Sequence, residues 1–183
     1  MRRDWRDAAV LLLIGGAVAA ALASVSATSV PGWNYERAFL ALLLWIVVVV
    51  GWFGTGLALA VPRPRAQPLR RVVAWALVPA LALATLFLCV SSLPLRARLE
   101  LSRGALDEAA RDVARGGRPP KDGRLGLFEI HDARRIENGF AFLVEDAGFI
   151  DTCGLAYSRG GEPRMGSGVW HVSGPWYGWC EDF

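Results

Sequence analysis

Four residues in the C-terminal half carry side chains with which proteins commonly do chemistry at neutral pH: His131, Cys153, His171 and Cys180. Two cysteines and two histidines make a set that zinc accepts in tetrahedral geometry, and a cysteine beside a histidine can supply an activated thiolate. The spacing argues against both uses. Zinc sites of this kind bring their ligands in close pairs, such as CxxC or HxxxH, and no such pair occurs here. A disulfide between Cys153 and Cys180 is the preferred reading. It would close a loop of about 27 residues and stabilise a small domain by about 2–4 kcal/mol. The histidines then read as ordinary strand residues, and GSG at 166–168 is too short and wrongly placed for a phosphate-binding loop. No catalytic residue, metal or cofactor is assigned.

The tail around Cys180 is rich in aromatics. Trp170, Trp176, Tyr177 and Trp179 cluster near the terminus and form a candidate patch for a ligand or partner. On a strand, Trp176, Gly178 and Cys180 would share one face, and Tyr177 and Trp179 the other. One face should be core. The second could meet a ligand or rest against a membrane interface.

What must position these residues is set by the first half of the chain. Hydrophobic residues make up 54% of the sequence, too many for an ordinary soluble domain of this size. Residues 8–30, 38–61 and 72–95 contain no Asp, Glu, Lys, Arg or His. At about 1.5 Å per residue each is long enough to cross a hydrocarbon core of about 30 Å. Three transmembrane helices are therefore expected, with Trp5 and Trp33 as interfacial anchors, a kink at Pro79 and an end near Pro94. Cys89, inside the third span, reads as an inert apolar residue.

Arginine placement sets the direction. Arg2, Arg3, Arg6, Arg63, Arg65, Arg70 and Arg71 would lie in the cytoplasm and only Arg37 in the first external loop, if the N-terminus is inside. The odd number of spans then exports residues 96–183. MRRDWR, the apolar run and ASVSA also resemble a signal peptide cleaved after Ala27, which would leave the remaining topology unchanged. No ionisable group interrupts the spans, which argues against an ion or proton pathway within this chain. Small residues recur every four positions in the first span, as Gly15, Ala19, Ala23, Ala27 and as Gly16, Ala20, Ser24, Thr28. Such ladders let helix backbones approach closely. The second span, with Gly51, Thr55 and Gly54, Ala58, is the favoured partner over a separate protein.

Residues 96–183 should form a small α+β extracytoplasmic domain, separate from a 1–95 anchor. The alternation in 95–102 suggests a strand leaving the membrane, with a helical continuation as the competitor. Ser102 would cap a helix ending at Gly116, with Asp107 and Arg111 favourably four apart. Residues 116–124 read as a linker. Asn138-Gly139 marks a hairpin with a type I′ turn between strands near 126–136 and 140–146. Further strands are expected at 149–158 and in VWHV and WYGWCED, with a mobile loop over 158–168, giving one helix and a mainly antiparallel sheet. A membrane helix followed by a helix and an antiparallel meander is similar in outline to type IV pilins, although no processing motif precedes the spans.

The net charge of +3 hides an asymmetry: residues 1–95 carry eight arginines against three acids, and residues 96–183 carry twelve basic against fourteen acidic residues. The basic excess belongs to the membrane flanks, so nucleic acid is not an expected partner. The abundance of alanine, and of arginine over lysine, fits a bacterial source. These features imply a multi-pass cell-membrane protein whose partners are the bilayer and another membrane or envelope protein. Its domain would serve interaction, as in an accessory subunit. The alternative is a cell-envelope enzyme, a hydrolase or a thiol- or metal-dependent catalyst, acting through the C-terminal domain.

Overall fold

The computed structural model describes residues 5–60, 69–117, 122–148, 151–165 and 168–181. Outside them lie Arg2, Arg3, Arg63 and Arg65 of the charge argument, 118–121 of the expected linker, 149–150 of the third expected strand, and 166–167 of the GSG stretch. The chain divides into two compact units, one of residues 1–25 and 36–90, the other of residues 26–35 and 91–183.

The first unit holds α1 (Trp5–Ala27), α2 (Tyr35–Ala60) and α3 (Leu69–Val90). Their shared core is small: Ala17, Val48 and Val78 are buried, with Leu13, Trp45, Trp52 and Leu81 packed around them. Large apolar side chains face outward instead, among them Leu12, Val47, Leu57 and Leu83. Water would not tolerate that distribution; lipid would. Two helices, over Ala8–Ala27 and Tyr35–Leu57, are long and apolar enough to cross a membrane, and a third span results if Trp75–Val90 and Leu93–Ala114 count as one broken helix.

The small residues of α1 meet α2. Gly16 faces Val48, Ser24 Oγ accepts a hydrogen bond from Trp45 Nε1 at 3.1 Å, and Gly51 makes room for Leu13. Ala20 is fully buried. The ladder through Gly16 is thus the packed one, whereas Gly15 and Gly54 meet nothing within 4 Å. Trp52 stacks on Trp75 with ring centroids 4.1 Å apart and donates to the Trp75 carbonyl. α3 continues through Pro79.

The third apolar run does not extend to 95. α3 stops at Val90, Ser92 adopts a left-handed φ of 52°, and α4 begins at Leu93 with Pro94 in its first turn. The reason is steric: within a continuous helix the proline ring would clash with the carbonyl four residues back, that of Val90, whereas a first turn has no need of its N–H. Pro94 therefore starts a helix.

α4 (Leu93–Ala114) also corrects the strand expected over 95–102. Its buried residues are Leu95, Leu99, Ser102, Leu106, Ala110 and Val113, a stripe at intervals of three and four. The apparent alternation mixed two faces, since Leu95 and Leu99 are buried while Leu101 is 78% exposed. Ser102 is no cap. It lies mid-helix, donates to the Arg98 carbonyl at 2.8 Å and accepts the Leu127 N–H at 2.9 Å. The helix does end at Gly116, whose φ of +92° turns the chain so that its N–H reaches Val113 and the Gly117 N–H reaches Asp112.

The strands are β1 (Gly123–Leu125), β2 (Phe128–Ile136), β3 (Gly139–Val144), β4 (Thr152–Ser158), β5 (Val169–Ser173) and β6 (Trp176–Glu181). They form one antiparallel sheet in the order β1-β2-β3-β4-β6-β5. β1 falls at the end of the expected linker. The β2–β3 hairpin forms, but Ile136 pairs with Gly139, so its turn is Glu137-Asn138, and neither Asn138 nor Gly139 has positive φ. Glycine is required at 139 for another reason: a Cβ there would collide with the Tyr157 carbonyl of β4. The loop after β4 is fastened to this turn, with Asn138 Nδ2 donating to Glu162 O and the Arg164 N–H donating to Asn138 Oδ1.

α4 covers one sheet face, burying Leu95, Leu99, Leu106 and Ala110 against Phe128, Ile130, Phe142, Val144, Leu155, Val172 and Trp176. On the other face Ala141, Ala156 and Trp179 are buried, with Leu143, Met165, Val169 and Tyr177 packed around them.

The connection between α1 and α2 belongs to this sheet unit. Val30 enters its core. The Trp33 carbonyl accepts the Gly148 N–H at 2.9 Å, Asn34 Nδ2 donates to Asp146 O at 3.0 Å, and Asn34 and Gly148 form an isolated parallel bridge. Arg98, on α4, donates to Ser29 Oγ and to the Leu127 carbonyl.

Candidate functional site

Cys153 and Cys180 are register partners on β4 and β6, and they form a disulfide with an S–S distance of 2.04 Å and Cα atoms 4.2 Å apart. The bond lies under the α1–α2 connection. Gly32, with φ +70°, crosses so close that a Cβ there would overlap Cys153 Sγ and lie 2.7 Å from Cys180 Sγ. Neither sulfur is therefore present as a thiolate for catalysis or as a metal ligand. The histidines are not neighbours either. His131 is on β2, beside Asp122 at 3.2 Å, and His171 is on β5, contacting the Gly174 carbonyl at 3.0 Å. Three strands separate β2 from β5, which puts them roughly 19 Å apart across the sheet. Among the described residues no three His, Cys, Asp or Glu side chains are grouped to hold a metal ion.

The tail aromatics divide between the two sheet faces as strand alternation requires. Trp176 is fully buried under α4, where its Nε1 donates to Asp107 Oδ1 at 3.0 Å and its ring meets Tyr157 at 5.1 Å and Phe142 at 5.8 Å. Trp170 shares that face, half-buried across Gly178, where any Cβ would strike its ring. Tyr177 and Trp179 occupy the opposite face. Tyr177 packs on His171 at 5.2 Å, and Trp179, 2% exposed, lies beneath the Arg134 guanidinium, itself paired with Glu181 at 2.7 Å. The four aromatics thus do not form one surface. Asp107 and Arg111 interact differently from a simple ion pair: the Asp107 carboxylate accepts a hydrogen bond from Trp176 Nε1, and Arg111 Nε donates to the Asp107 carbonyl at 3.1 Å.

A concavity among the described residues lies elsewhere in the domain. A cleft of about 340 Å³ opens between the last turns of α4 and the hairpin ends of β3 and β4. Phe140 and Tyr157 supply its apolar wall, and Arg111, Arg115 and Arg159 line it. Arg159 is held by a 2.6 Å hydrogen bond from its Nε to the Tyr157 hydroxyl. Arg135 stands beside it, its guanidinium 5.7 Å from the Phe140 ring and donating to the Val113 carbonyl.

Three arginines line this cleft. Elsewhere in the domain Arg103, Arg124, Arg134 and Arg164 each pair with a glutamate, whereas among the described residues no carboxylate pairs with Arg111, Arg115 or Arg159. The α4 C-terminus, where unbonded carbonyls would oppose an anion, is closed by the N–H groups of Arg115, Gly116 and Gly117 and by Arg135. Sequence reasoning missed this site. Arg111 and Arg115 share a helix face at four-residue spacing, but nothing in the order of residues brings Arg159 to them. No family model, no curated protein and no solved structure matches the chain.

Proposed function

We propose that this is a multi-pass membrane protein that displays a disulfide-braced binding domain on the extracytoplasmic side, without catalysing a reaction, as an accessory component of a larger envelope assembly. The observation that carries the reading is the seat of the α1–α2 connection on the Cys153–Cys180 disulfide. Residues 26–35 and 91–183 belong to one unit, so they lie on one side of any membrane that the helices cross. A structural disulfide forms and persists on the oxidising side. Both therefore face outward, and with α3 alone taken as the third crossing and α4 kept in the sheet unit, the N-terminus and the 61–68 connection face the cytoplasm. The same direction follows independently from the arginine count.

Accessibility labelling tests this. In a Cys89→Ser background that keeps the disulfide, a single reporter cysteine is placed either at Arg65 or after Phe183, and intact cells receive a membrane-impermeant maleimide. The terminal reporter should label at once and the Arg65→Cys reporter only after the membrane is opened. Labelling of both positions from outside would refute the topology.

A further inference from the structure

We infer that the cleft lined by Arg111, Arg115 and Arg159 is a binding site for a phosphate-bearing ligand. The inference rests on reading the sheet unit as a binding domain and names what that domain binds. Guanidinium groups present planar forks of N–H donors that match phosphate and carboxylate oxygens, and they stay charged at any physiological pH. Among the described residues no carboxylate pairs with any of the three; Arg96 and Arg135 also lack one, but Arg111, Arg115 and Arg159 line a single cleft. A solvated cation needs no partner at a convex surface. Arg111, Arg115 and Arg159 are each exposed, but because they line one cleft they can act together on a single anion there, which attracts it more than any one of them would.

The number and disposition of donors favour phosphate over carboxylate. A phosphate monoester carries a charge of about −1.5 to −2 at neutral pH and three acceptor oxygens, whereas a carboxylate brings one charge and two oxygens. Arg159 is already oriented by the Tyr157 hydroxyl. Arg111 is anchored through Nε alone, which leaves the terminal nitrogens of its fork available. Phe140 and Tyr157 offer an apolar wall beside the charged rim, suited to the organic part of an ester. Asn138 spends its amide on the 159–165 loop and serves as framework.

Isothermal titration of the full-length chain in neutral detergent with inorganic phosphate, at constant ionic strength, tests the site. Saturable binding is expected. It should strengthen between about pH 5 and about pH 7.5, because phosphate loses its second proton near pH 6 while the arginines remain charged. Arg115→Gln with Arg159→Gln should weaken binding at least about tenfold, the paired lysine substitutions should weaken it less, and Arg96→Gln, elsewhere on α4, should leave it unchanged. An unchanged urea midpoint in the glutamine variant separates lost binding from lost folding.

The same titration in nanodiscs of phosphatidylcholine with and without phosphatidic acid distinguishes the source of the phosphate. Competition by phosphatidic acid identifies a lipid headgroup, and its absence identifies a soluble ester. Lack of saturable phosphate binding, equal binding by the glutamine variant, or tighter binding of acetate than of phosphate would each overturn the inference. None of these results bears on the labelling experiment, so the topology and the ligand fail separately.

Discussion

Substitution of Gly32 by alanine should destabilise the sheet domain in a way that depends on the disulfide beneath it. Two effects add. Gly32 has φ +70°, where a side chain costs about 1–2 kcal/mol. The new methyl would also overlap Cys153 Sγ and lie 2.7 Å from Cys180 Sγ and 2.8 Å from Cys153 Cβ, and overpacking of this kind costs about 1–3 kcal/mol. The sum is about 2–5 kcal/mol in the native background. In a Cys153→Ala/Cys180→Ala background both sulfurs are gone and only the Cβ overlap persists, so the same substitution should cost about 1–2 kcal/mol less. Removing the disulfide has its own cost. For a sequence separation of 27 residues the chain-entropy relation gives roughly 3.5 kcal/mol.

The four proteins of this cycle can be compared by urea unfolding in mild detergent, with the fluorescence of buried Trp176 and Trp179 as the probe of the sheet unit. A coupling between position 32 and the cysteine pair above about 0.5 kcal/mol is expected. Equal costs of Gly32→Ala in both backgrounds would mean that the α1–α2 connection does not lie on the disulfide. The argument for a shared side of the membrane would then lose its structural basis.

Two substitutions on α4 separate interior from surface. Ser102→Ala removes the acceptor of the Leu127 N–H at a buried position and should cost about 1–3 kcal/mol by the same assay; a loss below about 0.5 kcal/mol would contradict the helix register. Gly104→Ala, where an added Cβ meets nothing within 4 Å, should raise stability by about 0.5–1 kcal/mol through helix propensity alone. A destabilised Gly104→Ala protein would show that this face of α4 is covered.

The apolar character of the three runs, the disulfide and the antiparallel sheet were legible in the order of residues because each rests on local or compositional physics, whereas the end of the third run was not, since α3 stops at Val90. A run free of charge for more than twenty residues has few homes outside lipid. Two cysteines on neighbouring strands, with no other cysteine in the domain, have one available partner each. The Asn138-Gly139 pair likewise marked where the chain reverses, though not how: Gly139 serves close passage of β4 rather than a left-handed turn.

Tertiary structure decided what depends on residues distant in sequence. Residues 95–102 alternate in polarity for both a strand and a helix, and the choice fell to the helix because Leu95 and Leu99, one turn apart, bury against Phe128 and its neighbours together with Leu106 and Ala110. The arginine cleft required the end of α4 and the end of β4 to meet, and no local spacing encodes that meeting. The burial of Trp176 required Asp107, 69 residues earlier, to satisfy its indole N–H. The sequence alone thus determined which segments are apolar enough to span a membrane and which cysteines pair. Which aromatics became core, which arginines were left without acids, and which loop covers the disulfide were decided only by packing, because burial and charge compensation are properties of neighbours in space.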